Sequence, residues 1–346
     1  MSADAGEHGH LDVPGRPRTT EAPAPALGRL PDSRWHPAEI GFWLASLAVY
    51  FIFPGHLVLG SQVLITGLFA VSLDLLLGYA GIVSLGHAAM FGGGAYAAGL
   101  LARHGWGEPI SGLAVAAGAG ALIAFATSFI ALRGGDLTRL MVTLGIGLML
   151  YEVANQAASI TGGVDGLSDM KVGDVLGIFP FDLEGKTAYG YSLAVLFGVF
   201  CFCRRLVRSP FGLSLRGIRD RAARMSAIGS PVRRRLIAIY TIAGAIAGIA
   251  GALLAQTTQF VGIEVLGFSR SADLLIVLVL GGAGWLYGGL VGAALFMIAQ
   301  NLLSSINPVY WQFWLGLLLI LAVFFAPGGL VGTAAALRRR LLGRSS

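Results

Sequence analysis

The chain is organised as a series of long apolar runs separated by short polar segments. A helix needs about 20 predominantly apolar residues to cross the hydrocarbon core of a bilayer. Two runs, at 38–53 and 271–283, are too short for a straight full span. The pattern predicts an all-α, polytopic membrane protein with about ten transmembrane helices, including short or broken ones. The runs lie at 38–53, 57–79, 82–101, 109–132, 137–158, 188–205, 236–256, 271–283, 286–305 and 309–331.

Composition supports this class, because the chain is 55% hydrophobic and only 12% charged. A soluble domain carries about 25% charged residues. The first 36 residues differ from the rest, since they are rich in Pro, Ala, Gly and charges and lack the apolar core of a signal peptide. We predict a disordered tail at 1–36, a membrane domain at 37–335 and a basic tail at 336–346.

Arginine is distributed unevenly and predicts the orientation. Residues 204–235 hold ten arginines and one acid, whereas residues 159–187 hold five acids and no arginine. The positive-inside rule places the first segment in the cytoplasm and the second outside. The net charge of +6 therefore indicates cytoplasmic loops and not a nucleic-acid partner. Both tails are then cytoplasmic, which requires an even number of membrane crossings after the Arg-rich segment. Two spans and a re-entrant hairpin at 271–305 both give an even number, so both stay open.

The segment GYAGIVSLGHAAMFGGGAYAAGLL, residues 78–101, is apolar but unusually rich in glycine. Its small residues recur four apart, which allows helices to approach closely. The run Gly92, Gly93 and Gly94 is also a candidate interruption of the helix. Ser84 and His87 share one helix face, and they serve either an interior path or gate or a structural polar contact.

Other polar side chains in the apolar runs are candidates for a path through the membrane. Asp74 lies late in its run, and Glu152 is followed by Asn155 on the same helix face. Asp273 comes three residues after Arg270, which predicts an ion pair at the membrane edge. The full set of path or gate candidates is Asp74, Ser84, His87, Tyr96, Glu152 and Asn155.

Two further segments break the apolar pattern. LGGAGWLYGGLVGAA, residues 280–294, predicts a tight hairpin in which Gly281, Gly282 and Gly284 form the turn. Ser209–Arg235 predicts a cytoplasmic helix opened by Ser-Pro and closed by Gly-Ser-Pro, with an apolar stripe among arginines. Lipid binding and protein docking both fit this helix, and its two-ended layout favours docking.

The sequence contains few features that indicate an enzyme. Gly185-Lys186-Thr187 is not a phosphate-binding loop, because Pro180 stands where the first glycine is required. The six histidines are scattered, and the two cysteines lie without a metal-binding partner set. We therefore expect no enzyme, no metal and no cofactor bound by this chain, so that any use of ATP falls to a partner.

Several motifs in order resemble the permease subunits of branched-chain amino acid ABC importers, the LivM/LivH type. The motifs are GYAGIVSLGHAAMFGGGAY, TGGVDGL, LRGIRDRAARMSAIG, AGAIAGIAGAL, LGGAGWLYGGLVGAA and APGGLVG. The similarity as a whole runs from about residue 57 to residue 332. The resemblance implies about ten helices and the task of moving a small solute inward across the inner membrane. It also implies four kinds of partner: a second homologous permease, two cytoplasmic ATPases, an extracytoplasmic solute-binding protein and the lipid bilayer.

The resemblance assigns the Arg-rich loop, 204–235, to coupling with the ATPase. The residues assigned to that role are Arg216, Arg219, Asp220, Ala223, Ala227 and Gly229. Ala222, Arg224 and Met225 depart from the usual pattern of the loop, and Asp74 stands where Asn is more usual. Relatives of this type also serve urea, amides and aromatic acids, so these solutes stay open beside branched-chain amino acids. A proton-coupled carrier working through Asp74 is the alternative from a different class, and a membrane-embedded enzyme is a weaker third reading.

Overall fold

The computed structural model describes residues 37–175, 177–182, 184–325 and 328–333. In this part of the chain the fold is helical, and strand-like pairing is limited to two isolated antiparallel bridges, Leu167 with Val261 and Val175 with Phe179. The tails predicted at 1–36 and 336–346 lie outside the described residues. The helices are α1 Pro37–Ile52, α2 Leu57–Asp74, α3 His87–Arg103, α4 Pro109–Ala131, α5 Asp136–Gln156, α6 Ala158–Thr161, α7 Lys186–Arg208, α8 Pro210–Ala227, α9 Val232–Thr258, α10 Phe268–Gly281, α11 Leu286–Ile306 and α12 Trp311–Phe325.

The prediction of an all-α, polytopic membrane protein is confirmed. Six of the described helical segments are long and apolar enough to cross a membrane, and shorter apolar helices accompany them. Apart from the four-residue α6 and the Arg-rich α8, each helix corresponds to one of the apolar runs. α10 has 14 residues, which gives a length of about 21 Å at 1.5 Å per residue. It is therefore shorter than the hydrocarbon core, and the tight hairpin at residues 282–285 joins it to α11.

Helix α9 packs against α3 and α4 through a line of glycines. Gly244, Gly248 and Gly251 fall on one face of α9 by their spacing. A Cβ at Gly248 would overlap the carbonyl oxygen of Ala116 on α4, and one at Gly251 would overlap the carbonyl oxygen of Phe91 on α3. Apolar burial gives helices no driving force to associate in lipid, so this close backbone approach supplies the packing.

The glycine run in α3 does not interrupt the helix, so that expectation was wrong. α3 is continuous from His87 to Arg103. A Cβ at Gly94 would overlap the backbone of Gly248. The missing side chains at Gly92 and Gly93 make room for Leu266 and Ile123, respectively. The three glycines thus lie at contacts with three different elements, and the helix has neighbours on several sides.

Hydrogen bonds join the loop between α5 and α7 to the segment after α9. Thr161 Oγ1 donates to the carbonyl oxygen of Ala154 at 2.6 Å where the TGGVDGL segment begins. Leu167 and Val261 then exchange two backbone hydrogen bonds of 2.8 and 3.0 Å. Farther into the bundle, Gln256 on α9 accepts from Tyr191 Oη at 2.9 Å and donates to the carbonyl oxygen of Pro109 at 2.9 Å. These bonds connect α9 to α4 and α7.

The glycine packing of α9 yields a stability prediction. Gly248→Ala should destabilise the protein by about 1–3 kcal/mol, because overpacking forces the backbones apart. Gly118→Ala is the matched control, since Gly118 is exposed on α4 and nothing lies within 4 Å of its Cβ position. The thermal unfolding midpoint of the purified chain measures the difference. Equal midpoints for the two variants would contradict the packing described here.

Candidate functional site: the break between α2 and α3

The chain leaves regular α-helix between Leu75 and Gly86. α2 continues as a π-helical turn, Leu75–Ala80, which ends at Gly81 with a left-handed φ of 70°. Residues 81–86 are irregular, and α3 begins at His87. A break in a membrane helix is tolerated only where protein or water pairs the freed backbone groups.

Hydroxyl groups from distant helices supply that pairing. The amide of Leu85 donates to Thr143 Oγ1 on α5 at 3.2 Å. The amide of Ala88 donates to Ser271 Oγ on α10 at 3.0 Å. Both hydroxyl-bearing residues are 1% exposed, so the break is enclosed by protein. The break therefore fixes the relative positions of α3, α5 and α10.

His87 connects the two sides of the break. Its Nε2 lies 2.8 Å from Ser72 Oγ on α2, and its ring stacks on Phe69 with an interplanar angle of 9°. Ser72 Oγ already donates to the carbonyl oxygen of Phe69 at 2.6 Å. The imidazole and the hydroxyl thus share a hydrogen bond across the break. His87 is 0% exposed, and its assignment to a path or gate stays a prediction.

Ser84 and Tyr96 are also buried near this region. Ser84 is 0% exposed within the irregular segment, and Tyr96 on α3 is 6% exposed. The hydroxyl of Tyr96 has no hydrogen-bond partner among the described residues. Their assignment to a path or gate stays a prediction.

Asp74 connects the end of α2 to the hairpin between α10 and α11. Its Oδ1 accepts a hydrogen bond from the amide of Gly284 at 2.6 Å, and its side chain is 0% exposed. Gly78 lies between these two groups, and a Cβ there would overlap both of them. Gly284 itself has a φ of 86°, a left-handed conformation that favours glycine. The carboxylate thus holds a turn that is 210 residues away in the chain.

Helix α8, in the Arg-rich loop, reaches the same place. Arg219 donates through Nη1 to the carbonyl oxygen of Gly78. The guanidinium of Arg216 lies 5.0 Å from the ring centre of Tyr79. Leu215 and Ile218 are buried at 2% and 4% exposure and anchor this half of the helix. α8 is therefore attached directly to the π-helical turn.

The far half of α8 lies beyond a kink. Arg221 has non-helical backbone angles and divides the helix, which explains why the predicted apolar stripe does not stay on one face. Asp220 lies just before the kink, with Oδ1 3.5 Å from Arg219 Nε. Beyond it, Ala223 and Ala227 are exposed, and Gly229 has a φ of 79° with open space around it.

The remaining membrane acids do not join this site. Glu152 is exposed and accepts from Gln156 Nε2 at 2.9 Å, and Asn155 is half-buried beside it. Asp273 and Arg270 interact through their charges, as predicted, but within the described ranges they are not among the pairs closer than 4.0 Å, so the contact is not a close ion pair. The guanidinium of Arg270 lies instead 5.4 Å from the ring centre of Phe91 on α3. An arginine over an aromatic face is a favourable arrangement.

The Asp74 contact yields a second stability prediction. Asp74→Asn should unfold at or above the temperature of the unchanged protein, because the amide oxygen still accepts from Gly284. Asp74→Ala should cost about 1–3 kcal/mol, since it leaves a buried N–H without a partner. Thermal unfolding of the purified variants checks this order. If the Asn and Ala variants unfold together, the carboxylate does not hold the turn.

Comparison with known proteins places these features in a family. A family model described as "Branched-chain amino acid transport system / permease component" matches residues 57–323. No solved structure matches the chain.

Curated relatives carry related names. The permease protein LivM of Escherichia coli K12, from a high-affinity branched-chain amino acid transport system, is 30% identical over 75% of this chain and 66% of its own length. The LivM protein of Salmonella typhimurium LT2 is 29% identical over 84% of this chain and 74% of its own. The L-arabinose ABC transporter permease AraH of Azospirillum brasilense is 28% identical over 53% of this chain and 55% of its own. The resemblance in the motifs is confirmed, and the chain belongs to the family of permease components of branched-chain amino acid transport systems.

Proposed function

We propose that this chain is the membrane-spanning subunit of an ATP-driven importer in the bacterial inner membrane. The solute is a branched-chain amino acid or a related small polar molecule. The observation that carries the proposal is the attachment of α8 to the break between α2 and α3 through Arg219 and Gly78. A loop that receives force from an ATPase needs such a direct contact with the membrane helices.

The contacts suggest how force passes from α8 into the membrane. A displacement of α8 pulls on the carbonyl of Gly78 and on the π-helical turn around it. Asp74 and Gly284 carry the displacement to the α10–α11 hairpin, and the irregular segment carries it to His87 at the start of α3. Helices that pack through glycine, such as α3 and α9, are suited to slide against one another. Alternating access would follow from these movements.

The partners follow from the proposed role. A second homologous permease would complete the pore, two ATPase subunits would dock at α8 from the cytoplasm, and an extracytoplasmic binding protein would deliver the solute. ATP would be bound and hydrolysed by the partner subunits alone. Both termini would lie in the cytoplasm, on the side of the Arg-rich loop.

Several classes of solute are compatible with the proposed importer. Two relatives are named for branched-chain amino acids and one for L-arabinose. Urea, amides and aromatic acids stay open for this chain as well. The binding protein would set most of the specificity, so uptake assays with the matched binding protein distinguish these solutes.

The coupling contact gives the test of the proposed function. In the reconstituted complex, Arg219→Ala should lower ATP-driven uptake by about tenfold or more, since a hydrogen bond from a charged group contributes about 1.5–3 kcal/mol. ATP hydrolysis should continue, because the ATPase sites are untouched. Arg133→Ala is the control, as Arg133 is exposed and lies outside the Arg-rich loop, 204–235. Unchanged uptake by Arg219→Ala, or full uptake without any ATPase, would refute the proposal.

A proton-coupled carrier remains the alternative from a different class. Asp74 is its natural proton site, and its Oδ2 is buried without a hydrogen-bond partner among the described residues. That mechanism predicts uptake that collapses with an uncoupler while ATP is held constant. Normal uptake by Asp74→Asn, which cannot carry the proton, would exclude it.

A further inference from the structure

A cavity of 680 Å³ lies beside α8, and none of its described lining residues belongs to the break between α2 and α3. Its walls come from the end of α4, the start of α5, the far half of α8 and the first turns of α9. The residues that decide its chemistry are Leu132, Arg139, Val232, Arg233, Arg234 and Leu236. The proposed transport mechanism does not use this cavity.

The cavity is strongly basic. Arg139, Arg233 and Arg234 line it, and none of its lining residues in the described part of the chain is acidic. Asp136 Oδ1 lies 3.3 Å from Arg139 Nη1, and the Asp136 side chain is 81% exposed. Arg139 Nε is buried without a hydrogen-bond partner among the described residues. A surface-exposed acid of this kind offsets little of the charge of three arginines.

The start of α9 adds to the positive potential. Pro231 precedes the helix and provides no side-chain cap. The amide of Val232 donates to the carbonyl oxygen of Ser230, and the helix dipole is positive at this end. Arg233 and Arg234 belong to this same first turn. The cavity thus combines arginines from two helices with the positive end of a helix dipole, an arrangement that suits a phosphate group.

The other wall of the cavity is apolar and continues onto a lipid-facing surface. Leu132, Val232 and Leu236 line the cavity beside the arginines. Above them on α4, Phe125 and Phe129 are 47% and 39% exposed. Exposed aromatic and aliphatic side chains of membrane helices face acyl chains. A ligand with a phosphate and an attached hydrocarbon chain matches both walls, and a soluble anion or an acidic protein segment matches only one.

We propose that this cavity binds the phosphate headgroup of an anionic phospholipid from the cytoplasmic leaflet. The headgroup lies between Arg139, Arg233 and Arg234, and the acyl chains run along the exposed face of α4. Basic pockets between helices on the cytoplasmic side are suited to such headgroups. The lipid bridges α5 and α9 beside the far half of α8, so it stabilises the position of that half-helix.

Lipid retention by the purified full-length chain tests the proposal. The chain in neutral detergent is offered phosphatidylglycerol or phosphatidylcholine, and native mass spectrometry measures the bound lipid. Phosphatidylglycerol should bind in preference. Each arginine contributes about a fivefold change in affinity, so the combined Arg139→Gln, Arg233→Gln and Arg234→Gln variant should bind it about a hundredfold more weakly.

The matched control removes the same charge elsewhere on the same side. The combined Arg205→Gln, Arg221→Gln and Arg224→Gln variant changes three exposed arginines that do not line the cavity, and it should retain phosphatidylglycerol. The single Arg139→Gln variant covers the case in which the triple variant fails to fold, and it should show the fivefold loss.

Three results would overturn the proposal. One is equal loss of lipid by the two triple variants, which would indicate general surface charge. Another is displacement of the lipid by glycerol 3-phosphate at matched ionic strength, which would indicate a site for soluble phosphate. The third is unchanged lipid binding by the cavity variant together with loss of a co-expressed ATPase subunit, which would assign the cavity to protein docking.

Discussion

The fold depends on one constraint: inside hydrocarbon, each backbone N–H and C=O group must find its partner within the protein. Regular helices satisfy this constraint within a single segment. The break between α2 and α3 does not, and the hydroxyls of Thr143 and Ser271 satisfy it from α5 and α10. The carbonyl of Gly78 is satisfied from outside the membrane helices altogether, by Arg219 of α8. A hydrogen-bonding requirement has thereby become the connection between the Arg-rich loop and the break between α2 and α3.

The helices themselves could be predicted from sequence, because the thickness of the bilayer sets the length of an apolar run. The break between α2 and α3 was indicated as well, because the apolar runs 57–79 and 82–101 divide there, but the groups that pair its backbone could not be predicted. Gly92, Gly93 and Gly94 suggested a break because glycine is a poor helix former, but here the missing side chains admit neighbouring elements and α3 stays intact. The pairing of backbone amides at the real break depends on hydroxyl groups far away in the chain, and these leave no local signal in the sequence. For the same reason, Asp74 stood out as a buried charge, but its partner Gly284 could not be identified.

Two regions of the protein differ in the kind of contact that joins their helices. α3 and α9 touch through glycines, which give close contact without directional bonds. The π-helical turn, α8 and the α10–α11 hairpin are joined by directional hydrogen bonds to Asp74 and Arg219. Glycine contacts permit sliding, whereas hydrogen bonds to a single carbonyl or carboxylate transmit displacement. The combination suits a subunit in which one region is driven and the other responds.

The hydrogen bonds across the break also determine when, during biosynthesis, the break can complete its backbone pairing. The amide of Leu85 is paired with a residue 58 positions later, and that of Ala88 with one 183 positions later. At about 5–20 residues per second, Ser271 is synthesised on the order of ten to forty seconds after Ala88. Until α10 arrives, the start of α3 has an unpaired polar backbone and cannot rest in lipid. The early helices must therefore wait beside water or the insertion machinery, and the last third of the chain completes a structure that its first third begins.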